Sequence, residues 1–170
     1  MDNTLDLDRA VQVLAELPDD VRRLALQSIE HWADRDPHTG PFGWLVGLHY
    51  TERTPERVSC TIDVDQIHHN PGKIAHGGVI FTLADSAMGA AVFTRLRPGQ
   101  RCVTAELKLN YLAPVIRGVV TATATVVSIG QRLAVVTCDV RDNNDKLVGL
   151  AQGTFAILQA EAARPIGGDR

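Results

Sequence analysis

The 170 residues carry 17 Lys and Arg against 20 Asp and Glu, a formal net charge of -3, with 45% hydrophobic and 22% charged residues. This mix suits a globular chain with a single core, and the acidic balance counts against a general nucleic-acid binder. No run is apolar and long enough to span a bilayer, and the acid-rich start MDNTLDLDRA is unlike a signal or transit peptide, so a cytoplasmic protein with neither nucleic acid nor membrane as partner is expected.

Leu5, Leu7, Ala10, Val11, Val13, Leu14 and Leu17 recur at helical spacing. LPDD (17–20) breaks the run. Asp19 or Asp20 can cap a second helix carrying Val21, Leu24, Ala25, Ile29 and Trp32 on one face. DRDPHTGPFG (34–43) reads as a linker. Residues 1–40 are therefore expected to form a helical arm and linker, too short to bury a core of their own. Residues 41–160 are expected to form the main domain, and 161–170 a flexible tail.

From Trp44 to Val64 the pattern suggests two strands around a turn at RTPER (53–57). A polar loop, HHNPGKIAH (68–76), comes next. In GGVIFTLADSAMGAAVFTRL (77–96), Ile80, Leu83, Ala84, Ala87, Met88, Ala91 and Val92 are three and four residues apart, the stripe of a helix that buries one face. RPGQ (97–100) ends it. Period two then takes over: Val103, Ala105, Leu107, Leu109 and Tyr111 alternate with Thr104, Glu106, Lys108 and Asn110. Further strand-like runs at 118–128, 132–141 and 146–158 are joined by SIGQR and by RDNNDK, an Asn/Asp hairpin turn. Short connections predict that these four strands are largely antiparallel. One long helix against one such sheet is an α+β layer architecture. Cys60, Cys102 and Cys138 have no CxxC spacing and read as buried reduced thiols.

Three features of the loop and helix bear on chemistry. Gly77 and Gly78 open the helix, where free N–H groups and the positive dipole end can receive a carbonyl oxygen; they equally let the helix enter tightly against the sheet. Asp85 borders the apolar stripe, where an ionised carboxylate is costly unless it is paired or at an interface; it can also sit on the solvent face beside Ser86. Asn70 can donate to a carbonyl or hold a water, or simply close a turn before Pro71-Gly72. His68, His69 and His76 invite a metal reading, but no Cys or Glu lies at ligand spacing, so no metal is expected. GxSxG, GxGxxG and GxxxxGK[ST] are absent.

Asn70, the run His76-Gly77-Gly78, LAD ending in Asp85, and TAELKLNYLAP (104–114), in this element order, resemble the hotdog-fold thioesterases, specifically the PaaI-like acyl-CoA thioesterases. The likeness covers roughly residues 42–158 and leaves the arm outside. It implies a central helix wrapped by a mostly antiparallel sheet and hydrolysis of a CoA thioester to free acid and CoASH. It also implies Asp85 as base or nucleophile, the Gly77 amide as oxyanion hole with help from Asn70, and Thr104, otherwise just a strand threonine, orienting the attacking water. His76 reads as a cap at the helix entrance rather than an acid or base, and with Gly78 it is expected to border the bound substrate. Phe81 and Met88, with Tyr111, would line the acyl pocket, under Trp32 or Trp44 as a cover. Arg132, among the turn arginines Arg95, Arg97, Arg101 and Arg117, would meet the CoA phosphates. No cofactor is implied beyond the CoA of the substrate.

Eight residues at 1.5 Å rise put Gly77 and Asp85 about 12 Å apart along one helix. If both serve one carbonyl, two antiparallel helices across a two-fold axis are required. The resemblance implies the same: a homodimer with composite sites, alone or within a tetramer. Two rivals stand: a hotdog hydratase or dehydratase using a pair such as His69 and Asp85, and a non-catalytic acyl-CoA binder.

Overall fold

A computed structural model describes residues 6–159. Leu5 and the expected tail 161–170 lie outside these. The chain begins with two helices, α1 (Leu7–Glu16) and α2 (Asp19–Ala33), and a short one, α3 (Pro41–Leu45). Strands β1 (Leu48–Arg53) and β2 (Val58–Val64) follow, then a 3-10 turn at Gln66–His68 and the long helix α4 (Gly77–Phe93). Four strands complete the chain: β3 (Gln100–Tyr111), β4 (Gly118–Ile129), β5 (Leu133–Arg141) and β6 (Leu147–Gln159). No helix among the described residues is long and apolar enough to cross a membrane.

The six strands form one antiparallel sheet in the order β1-β2-β4-β5-β6-β3. It curls around α4, whose buried residues are Ile80, Leu83, Ala84, Ala87, Met88, Ala91 and Val92, the stripe read from the sequence. Facing them are Val58, Cys60 and Ile62 of β2, Val120, Ala122 and Ala124 of β4, Val136 and Val140 of β5, and Phe155 of β6. Burying each larger side chain contributes roughly 1.5–3 kcal/mol. Gly153 lets β6 come close to the helix: a Cβ there would lie 3.4 Å from Met88 Cε. This is the hotdog architecture.

One expectation differs: Trp44 is in α3, not in a strand; Pro41 at the helix start and Gly40 before it nucleate that turn. The last four strands are antiparallel as expected. The six-residue link between β3 and β4 does not make them neighbours: β3 pairs with β6 at one edge of the sheet, and β4 pairs with β2 and β5.

The arm packs by polar and aromatic contacts. The Arg22 guanidinium donates to the carbonyls of Leu14, Ala15 and Leu17, which ties α1 to α2. His31 of α2 stacks on His68, ring centroids 5.8 Å apart. His68 is buried, which pushes its pKa down despite the opposing effect of a bond to the Val46 carbonyl. Trp32 meets Trp44 edge-on at 5.6 Å. Asp36 caps the docking: its carboxylate accepts from the Tyr50 and His38 amides, and its carbonyl accepts from Trp44 Nε1. Burial alone would raise the Asp36 pKa, but those amide bonds outweigh it and hold the group below its usual value.

Candidate active site

The loop before α4 is pinned from both sides. The Ala75 and His76 amides donate to the Val115 and His68 carbonyls, and the His69 ring contacts the Ile116 carbonyl at 2.6 Å. Within the loop, Asn70 Oδ1 accepts from the Gly72 amide at 2.8 Å, the turn that its neighbours Pro71-Gly72 suggested. That bond fixes the carboxamide and leaves its nitrogen without a partner among the described residues.

His76 is the N-cap of α4. Its Nδ1 accepts from the Gly78 amide at 2.9 Å, and its carbonyl accepts from the Val79 amide. The Gly77 amide, first in the helix, has no acceptor among the described residues. Tyr111, at the end of β3, donates its hydroxyl to the Gly77 carbonyl at 2.9 Å. Asn70, His76, Gly77, Gly78 and Tyr111 thus border one cavity of about 580 Å³. It has the makings of an oxyanion hole: a free helix-terminal N–H, a fixed carboxamide donor and no side chain at Gly77.

Two helical turns on, half-buried Asp85 accepts from Thr104 Oγ1 at 2.8 Å. The sequence pattern places Thr104 on the outward face, in step with Glu106 and Lys108. The structure places it inward, because β3 carries a bulge: Thr104 pairs with Phe155 and Glu106 with Thr154, so Ala105 has no ladder partner. Before the bulge Cys102 and Thr104 face α4; after it Leu107, Leu109 and Tyr111 do. Without that extra residue Thr104 and Tyr111, seven apart, would lie on opposite faces. Asp85 and Thr104 border a second cavity of about 380 Å³, with Tyr50 and Arg53 of β1. Tyr50 donates to the Ser86 carbonyl at 3.2 Å, and its phenol pKa is pushed up to about 12, chiefly by burial. Neither Tyr50 nor Arg53 stood out in the sequence.

The chain therefore holds two clusters, seven residues apart along β3, at Thr104 and Tyr111. Phe81, 39% exposed, sits on α4 midway between them. Met88, expected on the acyl pocket, is fully buried and packs the core instead. Trp32 and Trp44 pack on each other and border neither cavity. Arg132 does line an open cleft of about 800 Å³, together with Arg95 and Arg97, beyond the C-terminal end of α4; Arg101 and Arg117 do not. His68, His69 and His76 each engage a different backbone group and do not converge. His69 lies at the Gly77 end, not beside Asp85.

Thr104→Val tests the pairing with Asp85. Loss of a hydrogen bond to a charged group predicts a fall in turnover of about tenfold or more. Thr104 is exposed in the protomer, so the melting temperature should hardly move. Turnover equal to wild type would remove Thr104 from the site.

Residues 72–149 match the model of the thioesterase superfamily. A provisional esterase of Saccharolobus solfataricus, SSO1253, is 42% identical over 90 residues, which are 52% of this chain and 58% of that protein's length. A variant of the phenylacetic acid degradation protein PaaI from Thermus thermophilus superposes with a TM-score of 0.64 at 30% identity, over 69% of this chain and 98% of that one. The BH2602 protein of Bacillus halodurans, crystallised with CoA, shares the fold with a TM-score of 0.77 at 23% identity, over 89% of this chain and 100% of that one.

Proposed function

The chain belongs to the thioesterase superfamily, and from that premise we propose that it hydrolyses an acyl-CoA thioester at a site completed by a second copy of itself. One observation carries the reading. An acid with its hydroxyl partner stands at one end of β3, and an unengaged helix-terminal amide stands at the other.

A two-fold axis reconciles them. β3 is a 12-residue strand bonded on one side only, and such an open edge invites another strand. The α4 face beside it leaves Phe81 39% and Phe93 56% exposed. With Ala105 bulged out, antiparallel pairing of β3 with its own copy can set Thr104 opposite the partner's Tyr111 and Leu107 opposite the partner's Leu109, with the axis at Lys108. The point midway between Gly77 and Asp85 on α4 is residue 81. One rotation therefore satisfies the strand and the helix together, and each Asp85 meets the partner's Gly77. Phe81 of both copies would meet on the axis.

In that assembly the thioester oxygen accepts from the partner's Gly77 amide and the partner's Asn70 carboxamide. As carbon becomes tetrahedral, these donors stabilise the growing negative charge. Asp85 takes the proton of a water held against Thr104 as that water attacks, the C–S bond breaks and the proton passes on to the leaving CoA thiolate; or Asp85 attacks the carbonyl itself, CoA leaves as thiolate, and water then cleaves the acyl–Asp85 anhydride to free acid. These residues carry the step without a metal or cofactor; CoA arrives with the substrate. Arg132, Arg95 and Arg97 offer a basic cleft for its phosphates. The last eight residues of α4 separate Asp85 from Phe93, about 12 Å, and Arg95 lies just past that end, a gap that a pantetheine arm spans. We place the protein in the cytoplasm, where CoA thioesters are found.

Release of free thiol from acyl-CoA by the purified chain is the direct test. Hydrolysis liberates CoASH, hydration or dehydration does not, and binding without turnover would mark a carrier. Conversion of a 2-enoyl thioester without thiol release would replace hydrolysis with the hydratase reading.

A further inference from the structure

The cavity in front of Asp85 has a second charged wall. β1 and β3 are the two edges of the sheet, and because the sheet curls round α4 both edges border this one cavity. β3 brings Thr104 to Asp85. β1 brings Arg53, with His38 beside it from the segment before α3. The Arg53 guanidinium lies over the Tyr50 ring, 5.1 Å from its centroid, and the hydroxyl of that ring reaches the carbonyl of Ser86, next to Asp85.

Arg53 has no acidic partner among the described residues. Its neighbour Glu52 is paired with Arg57 at 2.7 Å, and Asp36 is committed to the Tyr50 and His38 amides. A guanidinium stacked on a phenol ring is preorganised in its plane and presents a fork that matches a carboxylate. The rest of the lining includes Phe93 and Phe155, and about 380 Å³ is room for an aromatic ring or a chain of several carbons.

Given hydrolysis at Asp85 as proposed above, on which this rests, we infer that the preferred acyl group carries a carboxylate at its far end. Arg53 pairs with that carboxylate, and the thioester carbon lies at Asp85. The body of the acyl group runs along the Tyr50 ring between the two charges. Arg53 is thus a specificity residue remote from the bond that breaks.

Two matched pairs of substrates test it: adipyl-CoA against hexanoyl-CoA, and 4-carboxybenzoyl-CoA against 4-methylbenzoyl-CoA. Wild type should favour the carboxylate member of each pair by about tenfold or more in kcat/KM, the size of a hydrogen-bonded charge pair. Arg53→Met, which keeps the stem and removes the charge, should bring each ratio close to one, and Arg53→Lys should restore part of it. Arg57→Met, outside the cavity, should keep the wild-type ratio. A wild-type preference for the uncharged members, or a preference that survives Arg53→Met, overturns the inference and leaves hydrolysis standing. Failure of wild type to release thiol from any of the four defeats the thioesterase reading and this inference with it.

Discussion

Asp85→Ala is expected to lower kcat/KM for acyl-CoA hydrolysis by about 10³-fold, the middle of the range for loss of a positioned base, or about 4 kcal/mol of barrier. Asp85 accepts from the hydroxyl of Thr104 at one end of β3, so its carboxylate is oriented before substrate arrives. It is half-buried beside the cavity rather than under the core. Removing it leaves no stranded partner except a threonine hydroxyl that water can reach. The variant should therefore fold and melt near wild type, and the loss should fall on kcat more than on KM. Free-thiol release under saturating substrate, beside a melting curve, reads both. A loss below tenfold would remove Asp85 from the chemistry.

Gly77→Val should be nearly as damaging, by about 10²-fold, the scale for losing one oxyanion donor. A Cβ at Gly77 would lie 3.1 Å from the Tyr111 hydroxyl oxygen and 3.2 Å from its ring carbon Cζ. That is tighter than ordinary contact, and the tyrosine can retreat only by giving up its bond to the Gly77 carbonyl. Valine adds two branches in the space where the thioester oxygen must approach the amide. Alanine, with the Cβ alone, should fall between. Unlike Asp85→Ala, this change also moves a substrate-facing wall, so KM should rise as kcat falls. Unchanged KM and kcat in Gly77→Val would place the oxyanion elsewhere.

Much of this was legible in the residues, for physical reasons. The stripe on α4 survives as read because a helix buried under one sheet has a single core face, and three-and-four spacing names it. The strands at 118–128, 132–141 and 146–158 emerge within a residue or two, since their turns are marked by Gly, Asn and Asp. Asn70, Gly77 and Asp85 stood out because each is awkward where it stands: a polar loop amide, a glycine pair opening a helix, an acid beside an apolar stripe.

What the sequence hid depends on pairing. The bulge at Ala105 has no glycine or proline to announce it, yet it alone turns Thr104 toward Asp85. The place of β3 beside β6 follows from sheet closure around α4, which no local pattern encodes. Met88 looked like pocket lining because the same stripe that faces a core can face a cavity, and only the closeness of Gly153 decides between them. Arg53 passed as one more arginine beside a turn; its role rests on β1 and β3 converging, the most non-local feature of the fold.

The central claim is that one active site takes Asp85 from one protomer and Gly77 from the other, and subunit mixing tests it most directly. Asp85→Asn and Gly77→Val chains, each carrying a different affinity tag, are co-expressed and the mixed dimer is isolated through both tags. Each parent alone is nearly inactive. In the mixed dimer one site gathers both defects and the other gathers none, so turnover per dimer should return to about half that of wild type. Turnover no higher than the parents', or full activity from a strictly monomeric wild type, would contradict the account.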